Sequence, residues 1–254
     1  MPLQSIKDRG ILICMKNRRT KLLILVVLMA LPGLCHAQPK GKTPEHGLNY
    51  QILHTGGATY GDKIPLVVAI HGLGDSPAGF KGLLTAFEGK ARVVVPAGPI
   101  PYGNGHSWFD TTIKGGKVTH FDQEQMVEAA DRLALLVKAL ANQYPTAGKP
   151  IAMGFSQGGM LSFLLAVRHP DLLALAIPLG GILPADQPAP KTPGKTRIRA
   201  LHGANDALVP TALARSSVKR LKDAGWDATI VAYPGLAHRI SPEMKQQLYR
   251  LLFQ

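Results

Sequence analysis

Cysteine is nearly absent from this chain. Its 254 residues hold two, Cys14 and Cys35, and both precede residue 38. If the segment that carries them is removed, no thiol remains. That excludes a cysteine nucleophile and a thiolate metal site, and it suits an oxidising compartment. Metal-ligand spacing is missing as well: His36, His46 and His54 stand isolated, so nothing calls for a metal or an organic cofactor. No internal repeat or long low-complexity segment occurs, and no linker divides the chain after residue 47. Runs of one charge are also lacking. The densest basic group, Lys191, Lys195, Arg197 and Arg199, is broken by proline and reads as a solvated loop rather than a nucleic-acid surface.

What is present suffices for one well-packed domain: 46% of the residues are hydrophobic, with 27 glycines and 20 prolines. The N-terminus is a segment apart. Lys16, Arg18, Arg19 and Lys21 precede an unbroken apolar stretch at 22–31, which Pro32-Gly33 ends. Cys35-His36-Ala37 then offers small residues at the two positions a signal peptidase reads, so residues 1–37 are expected to be a signal peptide cleaved after Ala37. The uncharged stretch 22–36 is too short to span a bilayer comfortably, so no stable membrane span is expected after cleavage. Met15 is an alternative start, because residues 1–14 add nothing a signal needs. Without residues 1–37 the chain keeps 23 Lys and Arg against 15 Asp and Glu, so its net charge is +8 rather than +13. Residues 38–47 read as a polar, flexible lead-in and 48–254 as the folded domain.

Within that domain, short apolar runs alternate with helical patterns. Strands are expected at 66–70 (LVVAI), 92–95, 151–155, 173–179, 198–201 and 229–233. Helices are expected near 78–87, from an Asp122 cap to about Gln143, at 157–167, at 211–224 and at 242–253 behind a Ser241 cap. Such alternation predicts an α/β fold, a mostly parallel central sheet with helices on both faces. Its active groups gather at the carboxyl ends of the strands. The segment 97–120, with Pro99, Pro101, Gly103, Gly105, Gly115 and Gly116, reads as too irregular for strand or helix.

At one predicted strand-to-helix junction stands Gly154-Phe155-Ser156-Gln157-Gly158, a match to G-x-S-x-G. A serine on so sharp a turn points out of the sheet, and the glycines clear the space where strand and helix nearly touch. The helix behind it supplies N–H groups and a positive end for an anionic intermediate. Such a serine needs a base, and the base needs an orienting acid; where the nucleophile sits on this turn, the chain order is serine, acid, histidine. His238 is the only histidine after Asp206, and Asp206 is the only downstream carboxylate directly following a strand; Asp186, in a Pro-rich loop, is its rival. The N–H of Gln157 and, from the Gly-rich segment after the 66–70 strand, that of Leu73 complete an oxyanion hole. His71 and His202 read as polar braces for their loops. Trp108 and Phe109, in the irregular segment, are expected to border an acyl pocket.

The segments "HGLGDS", "SWFD", "GFSQGG", "GILP", "HGANDALVP" and "HRISPE" occur in the order and spacing of a known family. On them the chain resembles the carboxylesterase/phospholipase family of α/β-hydrolases, which includes acyl-protein thioesterases and small bacterial carboxylesterases. The resemblance covers about residues 66–252. It implies Ser156, Asp206 and His238 as a catalytic triad and the Leu73 and Gln157 N–H groups as the oxyanion hole. Two departures stand out: Ala237 precedes His238 where the family usually has glycine, and a secretion signal is present. The resulting expectation is a periplasmic or secreted serine carboxylesterase acting on a small-molecule or lipid ester. The alternatives are an acyl thioesterase or lysophospholipase, and a binding protein that kept the shell without catalysis. Whether the chain forms a homodimer is left open.

Overall fold

The computed structural model describes residues 46–187 and 193–253. The expected signal segment, most of the lead-in and Lys191 lie outside the described residues.

The strands form where apolar, β-branched runs can be buried on both faces. All five residues of β2 (Leu66–Ile70, LVVAI) are buried. β3 (Ala91–Pro96), β8 (Ile151–Phe155), β9 (Leu175–Leu179) and β10 (Arg197–Gly203) follow the same logic, whereas β11 (Ala228–Tyr233), at the sheet edge, is half-exposed. Together with β1 (Tyr50–Thr55) they make a seven-stranded sheet in the order β1-β3-β2-β8-β9-β10-β11. Only β1 runs antiparallel to its neighbour. Alternate side chains face opposite layers. Leu66, Val68 and Ile70 join a core with α2 (Gln123–Gln143), α3 (Gln157–Arg168) and α4 (Thr211–Asp223). Val67 and Ala69 join a second core with α1 (Pro77–Lys81), the 3-10 turn Gly82–Leu84 and α5 (Pro242–Leu252). The expected three-layer α/β architecture is thus present.

Caps fall where the sequence puts them. Asp122 accepts the Gln125 N–H at 3.0 Å to begin α2, and Ser241 accepts the Met244 N–H at 3.2 Å to begin α5.

Two elements depart from expectation. β1 was not foreseen, because YQILHT is a half-exposed edge strand whose apolar residues form no clear run. The segment 97–120 is not irregular: it holds two short hairpins, β4 (Ile100–Tyr102) with β5 (Gly105–Ser107), and β6 (Thr111–Lys114) with β7 (Lys117–Phe121). Gly115 and Gly116, at φ +56° and +72°, form the two-residue turn of the second hairpin, where a right-twisting pair of strands needs positive φ at both positions. That Gly-Gly pair was the available signal. Because all the inner strands are parallel, the loops after β2, β8, β10 and β11 open on one rim.

Candidate active site

The turn from β8 to α3 is tight. A Cβ on Gly154 would strike the backbone of Gly158, and one on Gly158 would strike the carbonyl of Ile70, so both positions require glycine. Ser156 sits between them at φ 56°, ψ −115° and is the only non-glycine residue with positive φ among the described residues. That conformation stores strain and aims the hydroxyl over the rim.

Three loops converge on it. His238, just past β11, brings Nε2 to 3.0 Å from Ser156 Oγ, and its Nδ1 lies 2.6 Å from Asp206 Oδ2 in the loop after β10. An ionised carboxylate can only accept, so Nδ1 carries the proton and the Nε2 lone pair faces the serine hydroxyl. The β10 and β11 loops are stitched together. Asn205 N–H donates to the Leu236 carbonyl at 2.9 Å, its Oδ1 accepts from Gly235 N–H at 3.2 Å, and a side chain on Gly203 would strike the carbonyls of Leu236 and Ala237. Ala237 itself does not need glycine's freedom, since its φ is not positive. The Phe155 ring packs on the His238 imidazole, with centroids 4.8 Å apart. The rival Asp186 lies elsewhere, in a surface hollow with His120, Asp122 and Glu124.

Burial alone would raise the pKa of Asp206. Hydrogen bonds from His202, His238 and the Val209 N–H, together with attraction to His238, more than offset it and hold the carboxyl well below the usual carboxylate range. Val209 N–H reaches Oδ1 at 2.8 Å. His202 Nε2 stands 2.9 Å from the Val209 carbonyl and 3.3 Å from Asp206 Oδ2; both can only accept, so Nε2 carries a proton shared between them.

The loop after β2 carries Leu73. Its N–H has no backbone acceptor among the described residues, and that of Gln157, at the first position of α3, has none within the helix. Both residues line the cavity above Ser156. The loop is braced from below. Gly98 N–H donates to His71 Nε2 at 3.1 Å, which leaves the ring proton on Nδ1 for the Gly72 carbonyl at 2.7 Å. Burial lowers the pKa of His71, in keeping with the acceptor role of its Nε2. From the side, Gly74 N–H donates to the His106 carbonyl at 2.9 Å.

The cavity measures about 260 Å³ and is walled mainly by apolar groups: Phe109, Ile113, Val118, Phe121, Met160 and Leu208. Of the two aromatic residues expected at an acyl pocket, Phe109 lines this cavity. Trp108 does not line it. Its buried indole donates from Nε1 to the His71 carbonyl at 3.0 Å, which turns the ring into the core beside His71. Sequence reading missed Ile113, Val118 and Phe121, which belong to the unforeseen β6–β7 hairpin. It also missed the side chain of Gln157. Trp108→Ala is expected to cost about 3–5 kcal/mol of stability without altering acyl-length preference. Phe109→Ala, which enlarges the cavity, is expected to shift that preference toward longer chains. Thermal melts and a graded series of p-nitrophenyl esters measure both.

Comparisons with known proteins bear on the family and the fold. A sequence model of the family described as phospholipase/carboxylesterase matches residues 60–253. The chain is 27% identical to carboxylesterase SOBER1 of Arabidopsis thaliana over 190 residues, 69% of this chain and 83% of that protein. It is also 27% identical to acyl-protein thioesterase 1 of Gibberella zeae over 204 residues, 70% and 84% of the two chains. Among solved structures, the Bacillus cereus carboxylesterase superposes with a TM-score of 0.70 at 16% identity, covering 83% of this chain and 96% of that one.

Proposed function

The chain belongs to the phospholipase/carboxylesterase family of α/β-hydrolases, a serine hydrolase of the carboxylic ester type, and from that premise we propose that it cleaves esters through an acyl-enzyme on Ser156 outside the cytoplasm. His238 takes the Ser156 proton as Oγ attacks the ester carbonyl. The developing oxyanion is held by the N–H groups of Leu73 and Gln157 at the positive end of α3. Collapse breaks the ester C–O bond, and the alcohol leaves with the proton carried by His238. Water then repeats the sequence on the acyl-enzyme: His238 deprotonates it, and Ser156 departs as the carboxylic acid forms. Asp206 stays ionised throughout, orienting the imidazole and stabilising it while charged.

The observation that carries this reading is the hydrogen-bonded chain Ser156–His238–Asp206, assembled at 3.0 and 2.6 Å from three distant parts of the sequence. A shell retained only for binding has no need of that alignment. The apolar cavity beside Ser156 favours a substrate with an acyl group to bury. Thioesters and lysophospholipids meet the same chemistry, and a relative is named an acyl-protein thioesterase. Parallel rates on p-nitrophenyl esters, acyl thioesters and lysophospholipids rank the three. A fluorophosphonate should label the folded protein and fail to label Ser156→Ala; an unlabelled wild type would return the chain to the binding reading.

Export is supported by the basic and then apolar N-terminus ending in Cys35-His36-Ala37. Expressed at full length in a bacterium, the protein is expected outside the cytoplasm with Gln38 as its first residue. Cytoplasmic protein retaining residues 1–37 would refute export.

A further inference from the structure

Gln157 does more in this structure than lend a backbone N–H. Its side chain is buried, 3% exposed, and sits amid polar atoms of one segment, 107–111. Trp108 N–H donates to Gln157 Oε1 at 3.0 Å. Gln157 Nε2 donates to the Phe109 carbonyl at 2.8 Å and to Thr111 Oγ1 at 2.9 Å. Ser107 Oγ lies 3.1 Å from Nε2 and donates its own proton to the Phe109 carbonyl at 2.8 Å. The segment so held carries Phe109, a wall of the cavity, and leads into β6, whose Ile113 is another. One residue thus belongs to two parts of the site: its N–H is an oxyanion donor in the reading above, and its amide grips the wall.

We propose that the Gln157 side chain is a positioning residue that locks the acyl-pocket wall to the nucleophile turn, setting where an acyl chain lies relative to Ser156 and the oxyanion donors. The proposal rests on the acyl-enzyme reading above. Short acyl groups make little use of the wall, whereas longer ones depend on it. Losing the amide therefore has a particular signature: turnover falls and the preference among acyl lengths flattens, while Ser156 stays reactive toward a small reagent that does not touch the wall.

Gln157→Met keeps length and volume and removes the amide; the backbone N–H is unchanged. Folding is checked by thermal melt and nucleophile reactivity by a small fluorophosphonate. The expected result is labelling within a few-fold of wild type, kcat on the best p-nitrophenyl ester down by about 10- to 100-fold, and a flattened chain-length profile. Gln157→Glu gives a second readout. Its protonated form can donate to the Phe109 carbonyl as the amide does, and its ionised form cannot. Asp75 and His238, the titratable groups lining the same cavity, are common to both proteins, so the ratio of variant to wild-type activity should rise as pH falls. If neither variant folds, Thr111→Val, which removes one acceptor from the wall side, is expected to flatten the same profile. A folded variant with wild-type kcat and wild-type chain-length preference overturns the proposal. Failure of wild type to label, or activity retained in Ser156→Ala, overturns the acyl-enzyme reading instead.

Discussion

Ser156→Ala is expected to lower kcat by at least about 10⁴-fold while leaving the protein folded. Removing the nucleophile of such a triad leaves only what the oxyanion donors and binding supply to a water attack, so further substitution at His238 should add little to the loss. The same position allows a stability measurement that does not depend on activity. Ser156 lies at φ 56° on a turn fixed by the close approach of Gly154, Gly158 and Ile70. Alanine inherits the strain of that backbone and glycine does not, so Ser156→Gly should be more stable than Ser156→Ala by about 1 kcal/mol. Glycine is also the better of the two as a helix N-cap, the place Ser156 holds on α3, so capping acts in the same direction. Denaturant unfolding of the two inactive variants compares them without kinetics. If alanine is the more stable, the turn is not strained and the account of how the hydroxyl is presented falls.

How much of this was legible before the fold was seen follows from the kind of signal each part leaves. The inner strands and the long helices were readable because burial on two faces forces apolar runs, as in LVVAI, and because Asp122 and Ser241 mark helix starts. Ser156 was readable because a strained turn needs glycines on both sides. Asp206 and His238 followed from order along the chain and from strand ends. What was not legible was contact between side chains far apart in sequence. That Gln157 grips Ser107, Phe109 and Thr111, that Phe155 packs on His238, and that Trp108 turns inward to reach His71 are outcomes of packing, with no local pattern to report them. The cavity wall was hidden for a further reason. Much of it stands on a hairpin with strands of four and five residues, too short for a period to emerge, and only Gly115-Gly116 hinted at its turn. A tryptophan beside a phenylalanine invited assignment of both to the pocket. The indole N–H, which needs an acceptor when buried, separates them.

Asp206→Asn is expected to lower kcat by about 10⁴-fold, as for an acid that fixes the tautomer of its histidine. The geometry gives the reason. Asp206 Oδ1 accepts from the Val209 N–H, while Oδ2 faces His238 Nδ1 and His202 Nε2. An asparagine must turn its NH₂ toward one of these sides. The Val209 N–H cannot change its role, but His238 can move its proton from Nδ1 to Nε2, so the amide carbonyl is expected to stay on Val209 and the NH₂ to face the imidazole. His238 Nε2 then carries a proton where the Ser156 hydroxyl needs a lone pair. Stability supplies an independent check through its sign with pH. Because the folded-state pKa of Asp206 is lowered, the native state holds fewer protons than the unfolded chain in acid, so its contribution to stability is complete above the ordinary carboxylate pKa of about 4 and is lost as pH falls through the depressed value. Asparagine has no such dependence. Wild type should therefore exceed Asp206→Asn in unfolding free energy at pH 7, and the gap should narrow steadily from pH 4 downward. A gap that stays constant or widens in acid would mean that Asp206 is not held ionised by its partners, and the orienting role would fall with it.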